Sequence, residues 1–172
     1  MSTPAARPAT MPRPFSGTRM SPGLCWAGLG MLWVLFQAYV LGSWVTGPHF
    51  TPVEPGSEPI SPQQLMLFRV FEIAVPLAAA VMVWLLLLRP WWRERRLTTD
   101  GRLIIAAGMV FFWDMSINYS STALFYNAHF VNFGSWTLGS WPTWMSPNGH
   151  RLPEPILFIA PAYVCLIFSQ VL

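Results

Sequence analysis

The sequence predicts an all-α protein, a polytopic bundle of about four transmembrane helices. Of its 172 residues, 53% are hydrophobic and only 10% are charged. The apolar residues are also gathered in long runs that contain almost no charge. Soluble domains carry about 25% charged residues, whereas uncharged runs of about 20 residues are long enough to cross a bilayer as helices.

The first span is predicted at residues 24–45. Residues 1–23, which precede it, contain five prolines, three arginines and no acidic residue, a composition typical of a disordered tail. The run 24–45 is longer than the hydrophobic region of a signal peptide, and no clear cleavage site follows it. Gln37 is a lone polar residue in this span, so we expect it to hydrogen-bond to a neighbouring helix.

The second span is predicted at residues 64–88, after a proline-rich loop. Arg69 and Glu72 are three residues apart, so they are expected to pair on one face of the helix. Pro76 is expected to kink the helix, which membrane helices tolerate. Residues 89–102 then form an arginine-rich turn with two tryptophans.

The third and fourth spans are predicted at residues 103–122 and 156–172, joined by an aromatic loop, residues 123–155. The sequence is still apolar at Leu172, so we expect it to be the N-terminal part of a longer protein. Arginines gather before the first span and between the second and third. The positive-inside rule therefore predicts a multi-pass protein with its N-terminus in the cytoplasm and the aromatic loop outside. The same asymmetry explains the pI of about 9.3 without a nucleic-acid partner.

The aromatic loop contains too many large rings for a solvated linker. One interpretation is a belt of amphipathic rings at the lipid headgroups. The other is a cap or re-entrant lid over a cavity between the helices.

Asp114 is the leading candidate for a functional residue. An ionisable side chain within an apolar span is costly and is rarely present without a partner or a function. Asn118, Ser121 and Thr122 continue the same helical face, so the polar stripe is expected to face the bundle or a wet cavity. The alternative is that Asp114 only hydrogen-bonds to a neighbouring helix or pairs with an arginine.

Glu154 is the second candidate carboxylate. The flanking Pro153 and Pro155 hold the local backbone extended and can thereby aim the side chain. Two carboxylates from separate elements can form an acid/base pair, which would give Glu154 a second acid/base role beside Asp114. The alternative is a solvated glutamate at the membrane interface.

The sequence predicts no metal site and no cofactor. Its three histidines are dispersed and lack the spacing of metal ligands, and His129 is expected to donate a hydrogen bond or carry a proton. No phosphate-binding glycine loop, dinucleotide fingerprint or nucleophile elbow is present.

A set of short motifs lies between Trp113 and Tyr163. The set consists of Trp113-Asp114-Met115-Ser116-Ile117-Asn118-Tyr119, Tyr126-Asn127, Phe133-Gly134-Ser135-Trp136, Pro153-Glu154-Pro155 and Tyr163. Together these motifs resemble the AveC-like spirocyclase family of bacterial membrane proteins. The resemblance covers roughly residues 103–165. It implies a cyclase or dehydratase embedded in the bacterial cytoplasmic membrane and acting on a lipophilic, polyketide-like substrate.

Spiroketal closure needs a proton on a carbonyl or hemiketal oxygen, removal of a proton from the attacking hydroxyl, and loss of water. Asp114 and Glu154 are the expected acid/base residues. The expected substrate-binding residues are Asn118, Tyr119, Tyr126, Asn127 and His129. Two other functions stay open, namely a proton-coupled transporter and a non-catalytic membrane subunit that docks an enzyme or presents a lipid.

Overall fold

The structure is a computed structural model that describes residues 21–57, 59–117, 125–142, 146–147 and 149–171, with side chains to Leu166. Every regular element in these ranges is a helix and none is a strand, so the predicted all-α class is confirmed for them. Most of the tail predicted at residues 1–23 lies outside the described residues. The chain divides into two compact units, residues 1–35 and residues 36–172.

Helix α1 spans Pro22–Thr46, where the first span is predicted. Within the second unit, one face of α1 is buried at a spacing of three and four residues, at Gln37, Val40 and Trp44. The Gln37 side-chain amide donates a hydrogen bond to the carbonyl of Met109 at 3.3 Å. The predicted hydrogen bond between helices is therefore confirmed.

A second helical segment runs from Pro62 to Glu94. It consists of α2 (Pro62–Met82), a π-helical stretch (Val83–Leu88) and α3 (Arg89–Glu94). Its start is fixed by a capping box, because the Ser61 hydroxyl accepts from the Gln64 N–H at 3.2 Å and the Gln64 side chain accepts from the Ser61 N–H at 3.2 Å. Pro76 lies inside α2, and the helix continues through it.

The remaining helices are α4 (Thr99–Val110), α5 (Phe112–Ser116), a 3-10 turn (Gly149–Arg151) and α6 (Ile156–Val171). The predicted third span differs from the structure, because a turn at Phe111 separates α4 from α5. Its later part, residues 118–124, lies outside the described residues, and so do Asn118, Ser121 and Thr122 of the predicted polar stripe.

A small apolar core holds α2, α4 and α6 together. Its buried members are Ala79 from α2, Ile104 from α4 and Val164 from α6. The π-helical stretch adds partly buried side chains to the same cluster. This packing brings the start of α5 and the middle of α6 to the same region of the protein.

Two helical segments are long and apolar enough to cross a membrane. They are Pro22–Thr46, with a mean hydropathy of 1.7, and Pro62–Glu94, with a mean hydropathy of 2.4. In the most apolar 18-residue stretch of each segment, only 11% and 6% of the residues, respectively, are buried. The core helices of a soluble protein are mostly buried. Ile156–Leu166 is a shorter apolar helix. The described residues therefore show two candidate spans, fewer than the four predicted.

Candidate functional site

Asp114 lies in α5 with its side chain only 4% exposed. Its backbone N–H donates to the carbonyl of Phe111 at 3.0 Å, which continues the helical turn from α4 into α5. Phe112 and Met115, on either side, are fully buried. The predicted placement of Asp114 in the protein interior is thus confirmed.

Two tyrosines bind the Asp114 carboxylate, one at each oxygen. The Tyr126 hydroxyl donates to Oδ2 at 2.5 Å, and the Tyr163 hydroxyl donates to Oδ1 at 2.7 Å. Tyr126 comes from the aromatic loop and Tyr163 from α6, so three separate parts of the chain meet at this carboxylate. Hydrogen bonds to an ionised acceptor are shorter and stronger than bonds between neutral groups. The geometry therefore suits a charged aspartate.

The predicted alternative of a hydrogen bond between Asp114 and a neighbouring helix is met by Tyr163 of α6, whereas an arginine partner finds no support in the described part of the chain. The two ion pairs there join Arg69 to Glu72 and Arg96 to Glu94. The phenols are neutral donors, so they orient the Asp114 carboxylate without cancelling its charge.

The backbone of Glu154 is held by a contact with the aromatic loop. Its backbone N–H donates to the carbonyl of Gly134 at 3.1 Å. Gly134 has a φ of +78°, and a Cβ atom there would lie 2.7 Å from the carbonyl oxygen of Thr51. Only glycine fits this close approach without strain, and the turn at Gly134 is what presents its carbonyl to Glu154.

The Glu154 side chain is fully buried, so the alternative of a solvated interfacial glutamate is wrong. Neither carboxyl oxygen has a hydrogen-bond partner among the described residues. Burial, followed by the negative charge of Asp114, raises the pKa of the Glu154 carboxyl well above its usual range. A buried carboxyl without donors is far less costly when it is protonated, and the neutral acid is therefore the favoured form.

Tyr126 is held in its protonated form by the same surroundings. Burial, and then its hydrogen bond to Asp114, raise the pKa of the Tyr126 phenol. The negative charge of Glu154, when present, acts in the same direction. The phenol therefore stays a hydrogen-bond donor throughout the physiological range.

An aromatic cap, defined here as Trp136 and Trp141 with the rings they contact, packs on Phe112 of α5. Trp136 is fully buried and stacks on Phe112 with ring centroids 5.8 Å apart. Trp141 stacks on the same ring at 5.9 Å, and Trp44 meets Trp136 edge-on at 5.6 Å. The burial of Trp136 fits a cap over the site, and it does not fit a ring in a headgroup belt.

The predicted pair of Arg69 and Glu72 is confirmed, and both residues also contact the aromatic loop. The Arg69 guanidinium donates to the carbonyl of His129 at 3.0 Å, and the Glu72 carboxylate accepts from the Val131 N–H. These bonds fix the loop a few residues beyond Tyr126, so they help to hold its phenol against Asp114.

Of the predicted substrate-binding residues, only Tyr126 is shown at the Asp114 carboxylate. The Asn127 side chain accepts from the His129 N–H at 2.9 Å. Both residues line a cavity of about 500 Å³ together with Phe68 and the proline-rich loop, and Asp114 is not among the lining residues. Asn118 and Tyr119 lie outside the described residues.

Within the described ranges, no three histidine, cysteine, aspartate or glutamate side chains come together as metal ligands. The cluster of two carboxyls and two phenols can donate, accept and orient protons. That chemistry is acid/base chemistry.

A comparison with known protein families gives one match in this region. Residues 94–171 match the family model described as Spirocyclase AveC-like. The predicted resemblance is confirmed. The AveC-like match covers α4, α5 and α6 and includes Asp114, Tyr126, Glu154 and Tyr163. No curated protein and no solved structure matches the chain.

Tyr163 is the site residue that the sequence did not single out. It belongs to the motifs that carry the AveC-like resemblance, but it is one aromatic residue in an apolar run. Tyr163 lies 49 residues after Asp114, so no spacing within one helix predicts that the two side chains meet. Only the packing of α6 shows that they meet.

Proposed function

We propose that the protein is a membrane-embedded cyclase or dehydratase that acts by acid/base catalysis on a lipophilic, polyketide-like substrate, with spiroketal closure as its reaction. The AveC-like match makes a related function the natural expectation. One observation carries the proposal. Two carboxyl groups are buried and the charge of Asp114 acts on Glu154, yet Asp114 has two phenol donors and Glu154 has none among the described residues.

Glu154 is the proposed general acid. Because its surroundings favour the neutral form, it holds a proton that it can donate to a hemiketal hydroxyl. The protonated hydroxyl leaves as water when its carbon–oxygen bond breaks, and an oxocarbenium-like carbon remains.

Asp114 is the proposed general base. A second hydroxyl of the substrate bonds to the oxocarbenium carbon and passes its proton to Asp114. The proton then returns from Asp114 to Glu154 before the next turnover, so the reaction releases one water and consumes no proton. Tyr126 and Tyr163 orient the carboxylate, and Tyr126 is also the proposed contact to a substrate oxygen.

The aromatic cap is proposed to exclude bulk water during the reaction. An oxocarbenium-like carbon is readily captured by water, so a dry enclosure directs it to the internal hydroxyl. Trp136 stacks on Phe112, which lies two residues before Asp114 in α5.

In the proposed topology the chain crosses the bacterial cytoplasmic membrane several times with its N-terminus in the cytoplasm. The support is the arginine asymmetry and the exposed apolar surfaces of Pro22–Thr46 and Pro62–Glu94. A substrate dissolved in the bilayer would then reach the site without crossing water.

The test is the variant Asp114→Asn, with Asp100→Asn as the matched control because Asp100 is exposed at the start of α4. Each variant is produced in cells, its membrane level is measured by immunoblot, and lipophilic metabolites are compared by mass spectrometry. We expect a metabolite that has lost one water with the wild type and with Asp100→Asn, but not with Asp114→Asn.

Near-normal product from Asp114→Asn would refute the proposed role. Uptake of an unchanged compound into liposomes, driven by a pH gradient and lost in Asp114→Asn, would instead indicate a transporter. Altered co-purification with an enzyme, with no conversion by this chain, would indicate a subunit.

A further inference from the structure

The segment from α3 to the start of α4 carries a concentrated positive charge. Residues 89–102, named here the basic turn, contain five of the ten arginines of the chain and two carboxylates, Glu94 and Asp100, which gives a net charge of +3. The proposed acid/base site uses none of these residues.

Most of this charge has no ion-pair partner among the residues that the structure describes. Arg96 pairs with Glu94 at 2.9 Å. In the part of the chain that the structure describes, the other four make no ion pair: Arg89, Arg93, Arg95 and Arg102. All five side chains are exposed, so an anion from outside can reach them.

A cavity of about 440 Å³ lies in the basic turn and is lined by Arg96, Leu97, Thr98, Thr99 and Arg102. Helix α4 begins here, with the Thr98 hydroxyl accepting from the Gly101 N–H at 3.1 Å. Guanidinium groups bind phosphate oxygens through paired N–H donors. Two exposed arginines at the start of helix α4 therefore suit a phosphate group.

The apolar surface next to this cavity narrows the choice of ligand. A smaller cavity of about 260 Å³ is lined by Trp91, Trp92 and Arg95, and Trp92 is 72% exposed. The adjoining end of the Pro62–Glu94 segment also exposes Trp84 and Leu85. Tryptophan rings favour the level of lipid headgroups, and a molecule that combines phosphate with hydrocarbon complements both surfaces.

We infer that the basic turn is a binding site for an anionic phospholipid. Its phosphate contacts Arg96 and Arg102, and its acyl chains lie along the exposed apolar end of the Pro62–Glu94 segment. Clusters of arginines next to a membrane helix attract anionic headgroups through charge. This inference is independent of the proposed enzyme activity.

The test uses the full chain purified in a neutral detergent and titrated with short-chain phosphatidylglycerol, short-chain phosphatidylcholine or inorganic phosphate. Native mass spectrometry measures the bound fraction. We expect phosphatidylglycerol to bind more tightly than phosphatidylcholine, and its binding to weaken as salt is raised. Arg96→Gln/Arg102→Gln should weaken phosphatidylglycerol binding by about 25-fold, at about fivefold per arginine. Arg151→Gln, an exposed arginine in the 3-10 turn, is the matched control and should bind like the wild type.

Equal binding of the two lipids by the wild-type chain would overturn the inference, and this comparison needs no variant to fold. Equal phosphatidylglycerol binding by the double variant and the wild type would overturn it as well. Inorganic phosphate binding as tightly as phosphatidylglycerol would indicate a site for a soluble anion, which contradicts a lipid site.

Discussion

Removing the Tyr163 hydroxyl tests whether the two phenols orient the Asp114 carboxylate for its proposed role as general base. The change Tyr163→Phe keeps the ring and deletes the O–H that reaches Asp114 Oδ1 at 2.7 Å. A hydrogen bond to a charged group contributes about 1.5–3 kcal/mol. We expect the free energy of unfolding to fall by an amount in that range. We also expect turnover to fall about 100-fold, because a catalytic group displaced by about 1 Å loses roughly that factor.

A double variant makes this prediction sharper. Tyr126→Phe deletes the other donor, at Asp114 Oδ2, and should have an effect of similar size. Combining the two leaves a buried carboxylate without either phenol, and such uncompensated charges cost about 3–5 kcal/mol. The loss in the double variant should therefore differ from the sum of the single losses, since both donors act on one charge.

The measurements are thermal unfolding of the purified chain in detergent and product formation in membranes, followed by mass spectrometry. Tyr39→Phe is the matched control because Tyr39 is 58% exposed, and its effect should stay within about 0.5 kcal/mol. If Tyr126→Phe and Tyr163→Phe both behave like Tyr39→Phe in stability and in turnover, the phenols do not support Asp114. The reasoning from the site geometry would then be wrong.

Two further predictions concern Glu154 and the aromatic cap. Glu154→Gln should abolish turnover. It should also remove a pH dependence of stability. In the unfolded chain, Glu154 loses its proton as the pH rises above the ordinary glutamate pKa of about 4.3. In the folded protein the pKa of Glu154 is raised, so the carboxyl keeps its proton and folding is favoured less as the pH rises. Wild-type unfolding temperatures should therefore fall with rising pH relative to those of Glu154→Gln, and parallel curves for the two would contradict the assignment. Trp136→Ala should lower the free energy of unfolding by about 3–5 kcal/mol, because Trp136 is fully buried. Trp26→Ala, at a position 74% exposed, is the control, and equal losses from both changes would show that the cap is not packed as described.

The features that the sequence predicts correctly depend on helical spacing or on the cost of a polar group in apolar surroundings. Arg69 pairs with Glu72 because i, i+3 positions share a helical face. Gln37 hydrogen-bonds to a carbonyl on another helix because a lone amide in an apolar span needs a partner. The burial of Asp114 follows from the same cost of polar groups in apolar surroundings.

The features that sequence reasoning missed depend on how distant segments pack. The burial of Glu154 results from the Gly134 turn, whose carbonyl binds the Glu154 N–H. No local pattern around Pro153 and Pro155 distinguishes that outcome from a solvated glutamate. The meeting of Tyr163 with Asp114 likewise depends on α6 packing against α4, at Val164 and Ile104.

The difference between the two carboxyls comes from their donors, since both residues are carboxylic acids in a buried place. Two like charges close together in a poorly solvated site cannot both form cheaply. Two phenols donate to the Asp114 carboxylate, whereas Glu154, whose pKa is raised by burial and by the charge of Asp114, lacks such donors among the described residues. In the proposed roles, Asp114 accepts a proton and Glu154 donates one within a single turnover. Neither residue would have this property alone, so the phenols that divide the roles are as necessary to the proposed reaction as the carboxyls themselves.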